Sequence, residues 1–417
     1  MAGIYLHIPF CRQACNYCNF HFSTSMRGKN DFINALLKEM ELRSQYICAP
    51  NALPGNIAHS GQTANVGPSD KDASRVFSGE ELVETVYFGG GTPSLLEGAE
   101  LMRIMERLRA LFPVAADAEI TLESNPDDIS LARLAEWRRA GINRLSIGIQ
   151  SFFEADLQWM NRAHDARQAR ECIAMAQGEG FGNSSIDLIY GGPTLSDEHW
   201  KHNVDTAIGL GIPHLSCYAL TVEPRTALDT LIRRHRLADV NPDDQARQFL
   251  LLMDWTANAG YEHYEISNFA QPGRRSRHNS AYWQGKTYLG LGPSAHSFNG
   301  VSREWNVANN ARYTAALSSG NIDQIIEKED LTEMQKLNEY IMTSLRTLEG
   351  SDLGYIEKRF GKEASQELEK RAQRYIRAGK LIIAERMMLT KEGRLLTDGI
   401  TADLFFVKGD LQSLFEC

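Results

Sequence analysis

The sequence predicts an α/β fold in which six strand–helix units form a partial (βα)6 barrel, followed by an accessory region and a small α+β domain. Short runs of β-branched and aromatic residues alternate with longer amphipathic stretches, and this alternation stops after the sixth strand. The 417 residues allow roughly two to three domains at about 150 residues each. We therefore assign the barrel to residues 1–225, a region closing the barrel mouth to 226–325, and a winged-helix-like domain to 326–417.

The barrel strands are recognised by short apolar runs, nearly all of which end in Gly, Pro or a polar residue. Between them, apolar residues recur at helical spacing, as Phe32, Leu36 and Met40 do, which indicates helices that cover a parallel sheet. Residues 49–78 are rich in Gly, Asn, Ser, Ala and Pro, so we expect a flexible surface insertion there. The predicted strands are residues 4–8, 85–88, 119–123, 144–149, 185–190 and 214–220.

The chain after residue 226 changes character twice. The accessory region combines one helix, near residues 245–259, with Gly-rich and aromatic loops. The last ~90 residues predict three helices and then a hairpin that turns at Lys391-Glu392-Gly393, an arrangement typical of a winged helix. This domain could bind DNA or could serve only to pack against the rest of the protein. Its acidic helices favour the packing role. The three predicted helices are residues 331–345, 353–360 and 364–378.

The composition limits the functional class. With 43% hydrophobic and 23% charged residues the chain reads as globular, and its net charge of −9 argues against a dedicated nucleic-acid binder. Residues 1–10 lack the basic segment and cleavage site of a secretory signal. The longest uncharged apolar stretch, residues 207–222, is shorter than the ~20 residues that span a bilayer. We expect no transmembrane segment and a cytoplasmic location.

The cysteines divide into one cluster and four scattered residues. Cys11, Cys15 and Cys18 lie in one loop directly after the first strand, which indicates metal binding in a reducing compartment rather than a disulfide framework. Three thiolates suit an iron–sulfur cubane that keeps one open iron. The alternative is a zinc site completed by His21 or His7.

Two motifs carry a family resemblance. Residues 5–11 (Tyr-Leu-His-Ile-Pro-Phe-Cys) and 87–93 (Tyr-Phe-Gly-Gly-Gly-Thr-Pro) resemble the radical S-adenosylmethionine (SAM) superfamily, and within it the branch of oxygen-independent coproporphyrinogen III oxidases and HemW-type haem chaperones. The resemblance covers nearly the whole chain. It implies a [4Fe-4S] cluster on the three cysteines, SAM bound at the open iron, and possible SAM cleavage to a 5′-deoxyadenosyl radical. Cleavage would need an electron donor such as flavodoxin or ferredoxin.

The expected SAM pocket lies at the carboxyl ends of the strands, where barrel enzymes place their sites. Gly89, Gly90 and Gly91 allow close approach of a ligand, although a tight turn would use the same residues. Glu123 could instead cap a helix, and Arg162 could form a solvated ion pair. By resemblance, the SAM-contacting positions are Tyr5, Tyr17, Gly90, Gly91, Thr92, Glu123, Gln150, Arg162, Asp187 and Ala219.

Two features disfavour the oxidase branch. The oxidases carry a fourth cysteine two residues after the third, and this position is Phe20 here. They also carry an N-terminal extension before the first motif, which here begins at Tyr5. We therefore expect no conversion of coproporphyrinogen.

A third motif favours the chaperone branch. Residues 277–283 resemble the His-Asn-x-x-Tyr-Trp motif of the HemW-type chaperones, which implies haem binding by imidazole and aromatic rings. A hydrogen-bonded structural histidine is the alternative. The haem-binding candidates are His278, Asn279, Tyr282 and Trp283, with His296 as a second imidazole.

Taken together, these patterns favour a haem-binding radical SAM protein that delivers haem to haem-accepting apoproteins. A radical SAM oxidase that acts on a porphyrinogen is the alternative. A zinc-stabilised winged-helix regulator is a third.

Overall fold

The computed structural model describes residues 2–47 and 81–410, and the predicted insertion at residues 49–78 lies outside the described residues. Six parallel strands in chain order form the centre of one sheet, as the alternating pattern predicted. Each strand pairs with the next one along the chain, so the six predicted strands are confirmed. They are β1 (Ala2–Ile8), β2 (Val83–Gly90), β3 (Val114–Ser124), β4 (Arg144–Gln150), β5 (Ser184–Tyr190) and β6 (His214–Ala219).

The helices between these strands pack on one side of the sheet. Ile4, Leu6 and Ile8 of β1 are fully buried in the same core as Leu36 and Met40 of the first helix. Because side chains alternate along a strand, the intervening residues of β1 face the opposite side, which we call the inner face. The helices are α1 (Lys29–Leu42), α2 (Gly98–Leu111), α3 (Leu131–Ala140), α4 (Glu154–Trp159), α5 (Ala166–Gly178) and α6 (Asp197–Gly209).

The accessory region extends the sheet at both of its edges, where the sequence predicted mainly loops. At one edge β8 pairs antiparallel with β6. At the other edge β9 pairs parallel with β1, and β10, β11 and β12 follow as antiparallel neighbours. The elements are α7 (Ala227–Arg233), α8 (Pro242–Asn258), β7 (Glu262–Glu265), β8 (Asn268–Ala270), α9 (Arg277–Trp283), β9 (Tyr288–Leu291), β10 (His296–Phe298), β11 (Ser302–Asn306), α10 (Asn310–Ser318) and β12 (Ile326–Asp330).

The C-terminal part has its own hydrophobic core, which includes Leu337, Ile341 and Leu368. Its three predicted helices are confirmed, but the predicted place of the hairpin is wrong. The strands turn at residues 384–386, and the Lys391-Glu392-Gly393 segment begins a short helix because the hydroxyl of Thr390 caps it. The elements are α11 (Glu333–Leu345), α12 (Leu353–Phe360), α13 (Lys362–Arg377), β13 (Leu381–Ile383), β14 (Met387–Leu389), α14 (Lys391–Arg394) and α15 (Thr397–Leu404).

No helix within the described ranges, 2–47 and 81–410, is long and apolar enough to cross a membrane.

Candidate functional site

The cysteine loop, residues 11–18, follows β1 directly and is anchored at both ends. The backbone amide of Cys11 donates to the carbonyl of Ser23 at 3.0 Å. The side chain of Asn16 donates to the carbonyl of Trp159 at 2.7 Å, at the end of α4. The loop is therefore held across the mouth of the barrel, between the ends of β1 and the segment that follows β4.

The three thiols of the loop are all half-buried. Burial raises the pKa of Cys11 to about 11, and burial also raises the pKa of Cys18. A thiolate in such surroundings needs a compensating positive charge, and a coordinated metal supplies it. Three soft sulfur donors in one partly buried loop therefore fit an iron–sulfur cluster.

The zinc alternative finds little support in the contacts of the loop. Among the described residues, no three His, Cys, Asp or Glu side chains converge on a position for a single metal ion. Nε2 of His7 donates to the carbonyl of His21 at 2.9 Å, and Nε2 of His21 is hydrogen-bonded to Oδ1 of Asn310 at 2.7 Å. Both imidazoles therefore have hydrogen-bond partners already, and three thiolates alone suit a cubane, in which each thiolate binds a different iron.

A hydrogen-bonded chain of side chains connects two of the cysteines. The hydroxyl of Thr92 donates to Sγ of Cys11 at 3.5 Å, and Asn125 donates from Nδ2 to that hydroxyl at 3.2 Å. Oδ1 of Asn125 accepts from Arg162 at 2.6 Å, and the same guanidinium donates to Sγ of Cys15 at 3.3 Å. These bonds hold the guanidinium beside the thiols. There it can form a charge-assisted hydrogen bond with a thiolate.

Asn125 is a site residue that the sequence analysis missed. It lies one residue beyond β3, in the segment Glu123-Ser-Asn-Pro that ends this strand. A polar side chain at the carboxyl end of a parallel strand, directly before a proline, was the signal that could have identified it.

The glycines at the end of β2 allow two backbones to approach closely. A Cβ at Gly91 would lie 2.7 Å from the carbonyl oxygen of Phe10, and a Cβ at Gly90 would lie 2.7 Å from the ring of His7. Gly90 also has a φ of 108°, which favours glycine. The turn therefore brings the amide of Thr92 within 2.6 Å of the Phe10 carbonyl, against the cysteine loop.

Two carboxyl groups on the inner face have raised pKa values. Glu123 accepts from the Tyr87 hydroxyl at 2.8 Å and from the Gly90 amide at 3.2 Å. Burial, with a smaller contribution from the nearby Asp187, raises the pKa of Glu123 to about 7. Burial raises the pKa of Asp187 to about 6. Such groups can accept hydrogen bonds from the hydroxyls of a ribose.

The remaining SAM candidates lie around the same mouth. Tyr5 lies on the inner face of β1, with its ring 6.1 Å from that of Tyr87. The hydroxyl of Tyr17 accepts from Arg162 at 3.5 Å. Gln150 ends β4 with a φ of 65°, a strained value for a residue with a side chain. Ala219 ends β6 and is exposed.

The predicted haem motif is helix α9, and its histidine is buried. His278 is 2% exposed. Nδ1 is hydrogen-bonded to the hydroxyl of Thr85 and Nε2 to that of Tyr282, both at 2.8 Å. Burial lowers the pKa of His278 to about 3, so the ring is neutral. In this conformation neither ring nitrogen is available to iron. Trp283 is half-buried. The guanidinium of Arg346, a residue of the C-terminal domain, lies 5.6 Å from the centre of its ring.

His296, the second imidazole, lies on the inner face of β10 and is exposed. Its ring stacks on that of Trp305 in β11, with centroids 6.1 Å apart. Desolvation by the side chains around its ring, and then the nearby Arg303, lower the pKa of His296, which favours the neutral ring.

The fold has known counterparts. Residues 5–207 match the radical SAM superfamily and residues 331–396 match the HemN C-terminal domain. The solved coproporphyrinogen III oxidase (HemN) from Escherichia coli, described as a radical SAM enzyme, has the same fold with a TM-score of 0.78 at 23% identity. The match covers 97% of this chain and 90% of that one. The fold and the cysteine loop together define a radical SAM protein.

Curated relatives show to which family of radical SAM proteins the chain belongs. The heme chaperone HemW of Mycobacterium tuberculosis is 34% identical over 407 residues, covering 96% of this chain and 94% of its own. HemW of Bacillus subtilis is 31% identical over 378 residues and covers 88% of each chain. A mitochondrial radical SAM domain-containing protein 1 of Bos taurus is 35% identical over 295 residues, 71% of this chain and 60% of its own. The chain belongs to the HemW family.

Proposed function

We propose that this protein is a haem chaperone that carries a [4Fe-4S] cluster, binds SAM, and holds haem for delivery to haem-accepting apoproteins. The observation that carries the proposal is the half-buried loop of Cys11, Cys15 and Cys18 at the barrel mouth. It occurs in a chain whose relatives, similar over nearly their whole length, are named heme chaperones. The winged-helix-like domain then serves as a packing element rather than as a nucleic-acid reader.

The cysteine loop and the residues around it have separate roles at the barrel mouth. When bound, the cluster would offer one iron without a cysteine ligand to the amino and carboxylate groups of SAM. Arg162, fixed by Asn125, places positive charge beside Cys15 and can attract the carboxylate of SAM. Glu123 and Asp187 accept hydrogen bonds from ribose hydroxyls on the inner face. If SAM is cleaved, a small electron carrier such as flavodoxin or ferredoxin would supply the electron through the exposed edge of the loop.

One residue argues against the oxidase alternative. Phe20, at the position of the fourth cysteine of the oxidases, is 68% exposed and offers no metal donor. The similarity to the solved oxidase is evidence for a shared fold but not for a shared activity. The chaperone function therefore has the stronger support.

Anaerobic reconstitution tests the proposal. The purified full chain, supplied with iron and sulfide, is titrated with SAM and with haem, and followed by optical and EPR spectra. We expect a cluster spectrum that SAM perturbs, a saturable haem spectrum, and transfer of that haem to an apoprotein such as apomyoglobin. A reconstituted protein that binds no haem, or that never releases it to an acceptor, would contradict the proposal.

A further inference from the structure

The added strands β9, β10 and β11 extend the sheet beside the inner face of the barrel. Tyr5 of β1 is in register with Gly290 of β9, and Gly3 with Tyr288. Phe298 of β10 is in register with Tyr288. Because residues in register share one face of a sheet, the inner face extends sideways from the SAM candidates across three further strands.

This extension carries an aromatic strip beside the accessible imidazole. His296 and Phe298 of β10 lie opposite Trp305 and Arg303 of β11, respectively. The rings of Tyr288 and Phe298 are 6.3 Å apart, and the guanidinium of Arg303 lies 5.6 Å from the Phe298 ring. We call these five residues the imidazole–aromatic strip. It combines an iron ligand, flat apolar rings and one cation.

His296 differs from the other imidazoles near the barrel mouth in being free to bind. His7 and His21 use Nε2 in hydrogen bonds, and His278 uses both ring nitrogens. Among the residues that the structure describes, no hydrogen bond engages the ring of His296. A neutral imidazole with an available nitrogen is the common protein ligand of haem iron.

Gly290 is the place where β10 packs closely against β9. It lies between Tyr5 and the strand of His296, and a Cβ there would lie 2.0 Å from the backbone oxygen of His296, so the His296 backbone occupies the space that a side chain would need. Glycine at this position therefore holds the His296 backbone close to β9. The exposed side chain of His296 stays accessible to a ligand.

We propose that haem binds on the imidazole–aromatic strip, with His296 as an iron ligand and the edge of the Trp305 ring, which stacks on that imidazole, against the porphyrin. The proposal rests on the proposed function, since it requires the protein to bind haem. Aromatic rings pack on flat macrocycles, and Arg303 is the cation of the strip that can approach a propionate while it also pairs with Glu339 at 2.6 Å. Haem in this position would lie on the strands that extend the sheet beside the SAM candidates.

Ferric haem titrations of the full, cluster-reconstituted chain test this site. His296→Ala should weaken haem binding by about tenfold or more and change the Soret band, while cluster iron and the midpoint of thermal unfolding stay as in the parent protein. His199→Ala is the matched control, because His199 is also exposed and also stacked on an aromatic ring, that of Phe153, with centroids 4.0 Å apart. This control should bind haem as the parent protein does.

A second pair of variants separates ligation from packing. His296→Gly should regain the parent spectrum when free imidazole is added, since the base then replaces the missing ligand. Trp305→Phe should keep most of the affinity that Trp305→Ala loses, because a ring remains.

The outcomes distinguish the two proposals. If the parent protein binds haem, but His296→Ala binds it with the same affinity and spectrum, the strip is not the haem site and the chaperone function stands. If the parent protein binds no haem, both proposals fall.

Discussion

The imidazole of His278 stacks on the phenol ring of Tyr87, with centroids 5.0 Å apart and the planes inclined by 22°. The hydroxyl of Tyr87 in turn donates to Glu123 on the inner face. At the other end of the same helix, Trp283 lies under Arg346 of the C-terminal domain. Helix α9 therefore connects that domain with Glu123 in the proposed SAM pocket, and we expect His278 to act as a positioning residue.

Replacing His278 tests this role directly. His278→Ala should lower the free energy of unfolding by about 2–4 kcal/mol, because it leaves a cavity and removes partners from the hydroxyls of Thr85 and Tyr282. The haem spectrum of the folded fraction should stay unchanged. Chemical denaturation and haem titration measure the two effects. A variant of normal stability with an altered Soret band would instead make His278 a haem ligand.

The cysteine loop gives a second prediction. Cys15→Ala should reduce bound iron from about four atoms per chain to near background after reconstitution, because each thiolate of a cubane holds its own iron. Cys172→Ala is the matched control, since Cys172 is buried in α5, away from the loop. Iron and sulfide analysis measures the result. A full cluster that still responds to SAM in Cys15→Ala would contradict the assignment.

Asn125 gives a third prediction. Asn125→Leu should weaken SAM binding by about tenfold, because Arg162 loses the acceptor that fixes it beside Cys15. Cluster iron should remain. Asn143→Leu serves as control, because the Asn143 side chain also accepts one hydrogen bond and donates another, from the amide of Ile120 and to the carbonyl of Ala118 in β3, but it lies before β4 at the other end of the strand. Equilibrium dialysis with SAM compares them, and equal losses in both variants would remove the special role of Asn125.

The raised pKa of Glu123 predicts a pH-dependent stability. With its pKa near 7 in the folded chain and about 4.5 in the unfolded one, the folded state binds the extra proton between these values. The free energy of unfolding therefore falls as the pH rises through this window. In the SAM-free protein, Glu123→Gln should be more stable than the parent by about 1–3 kcal/mol at pH 8 and by much less at pH 5.

The control for this experiment is a carboxyl outside the pocket. Glu106 is exposed on α2, so Glu106→Gln should show no such dependence on pH. Urea denaturation at the two pH values provides the measurement. The same difference between Glu123→Gln and the parent protein at both values would show that Glu123 titrates normally.

The position of Phe20 predicts the absence of oxidase activity. The reconstituted protein, incubated anaerobically with SAM, a reductant and coproporphyrinogen III, should form no protoporphyrinogen above background. The Escherichia coli oxidase, under identical conditions, is the positive control. Repeated turnovers by the present protein, measured by chromatography of the oxidised porphyrins, would reverse the preference for the chaperone function.

The central barrel could be predicted because its signals are local. The β-branched and apolar runs of β1 to β6 and the helical spacing of Phe32, Leu36 and Met40 depend only on neighbouring residues. Strand β9 could not be predicted in this way, since it has four residues and pairs with β1 about 280 positions earlier. The hairpin was misplaced because Thr390 caps a helix where a turn was expected.

The residues of the candidate site show the same difference between local and long-range signals. The cysteines were identified from spacing alone, and the SAM candidates from resemblance. Burial is a tertiary property, so the sequence could not distinguish the enclosed His278 from the accessible His296. Asn125 was missed because its importance comes from the two partners it connects, Thr92 and Arg162, and these lie far from it along the chain.

The pairing of β1 with both β2 and β9 also bears on synthesis of the chain. At roughly 5–20 residues per second, a ribosome releases β9 about fifteen seconds to a minute after β1. During that interval one edge of β1 has unpaired amide and carbonyl groups and can pair with other nascent chains. Chains interrupted before residue 288 should therefore aggregate, whereas interruption beyond β12 should leave a soluble barrel.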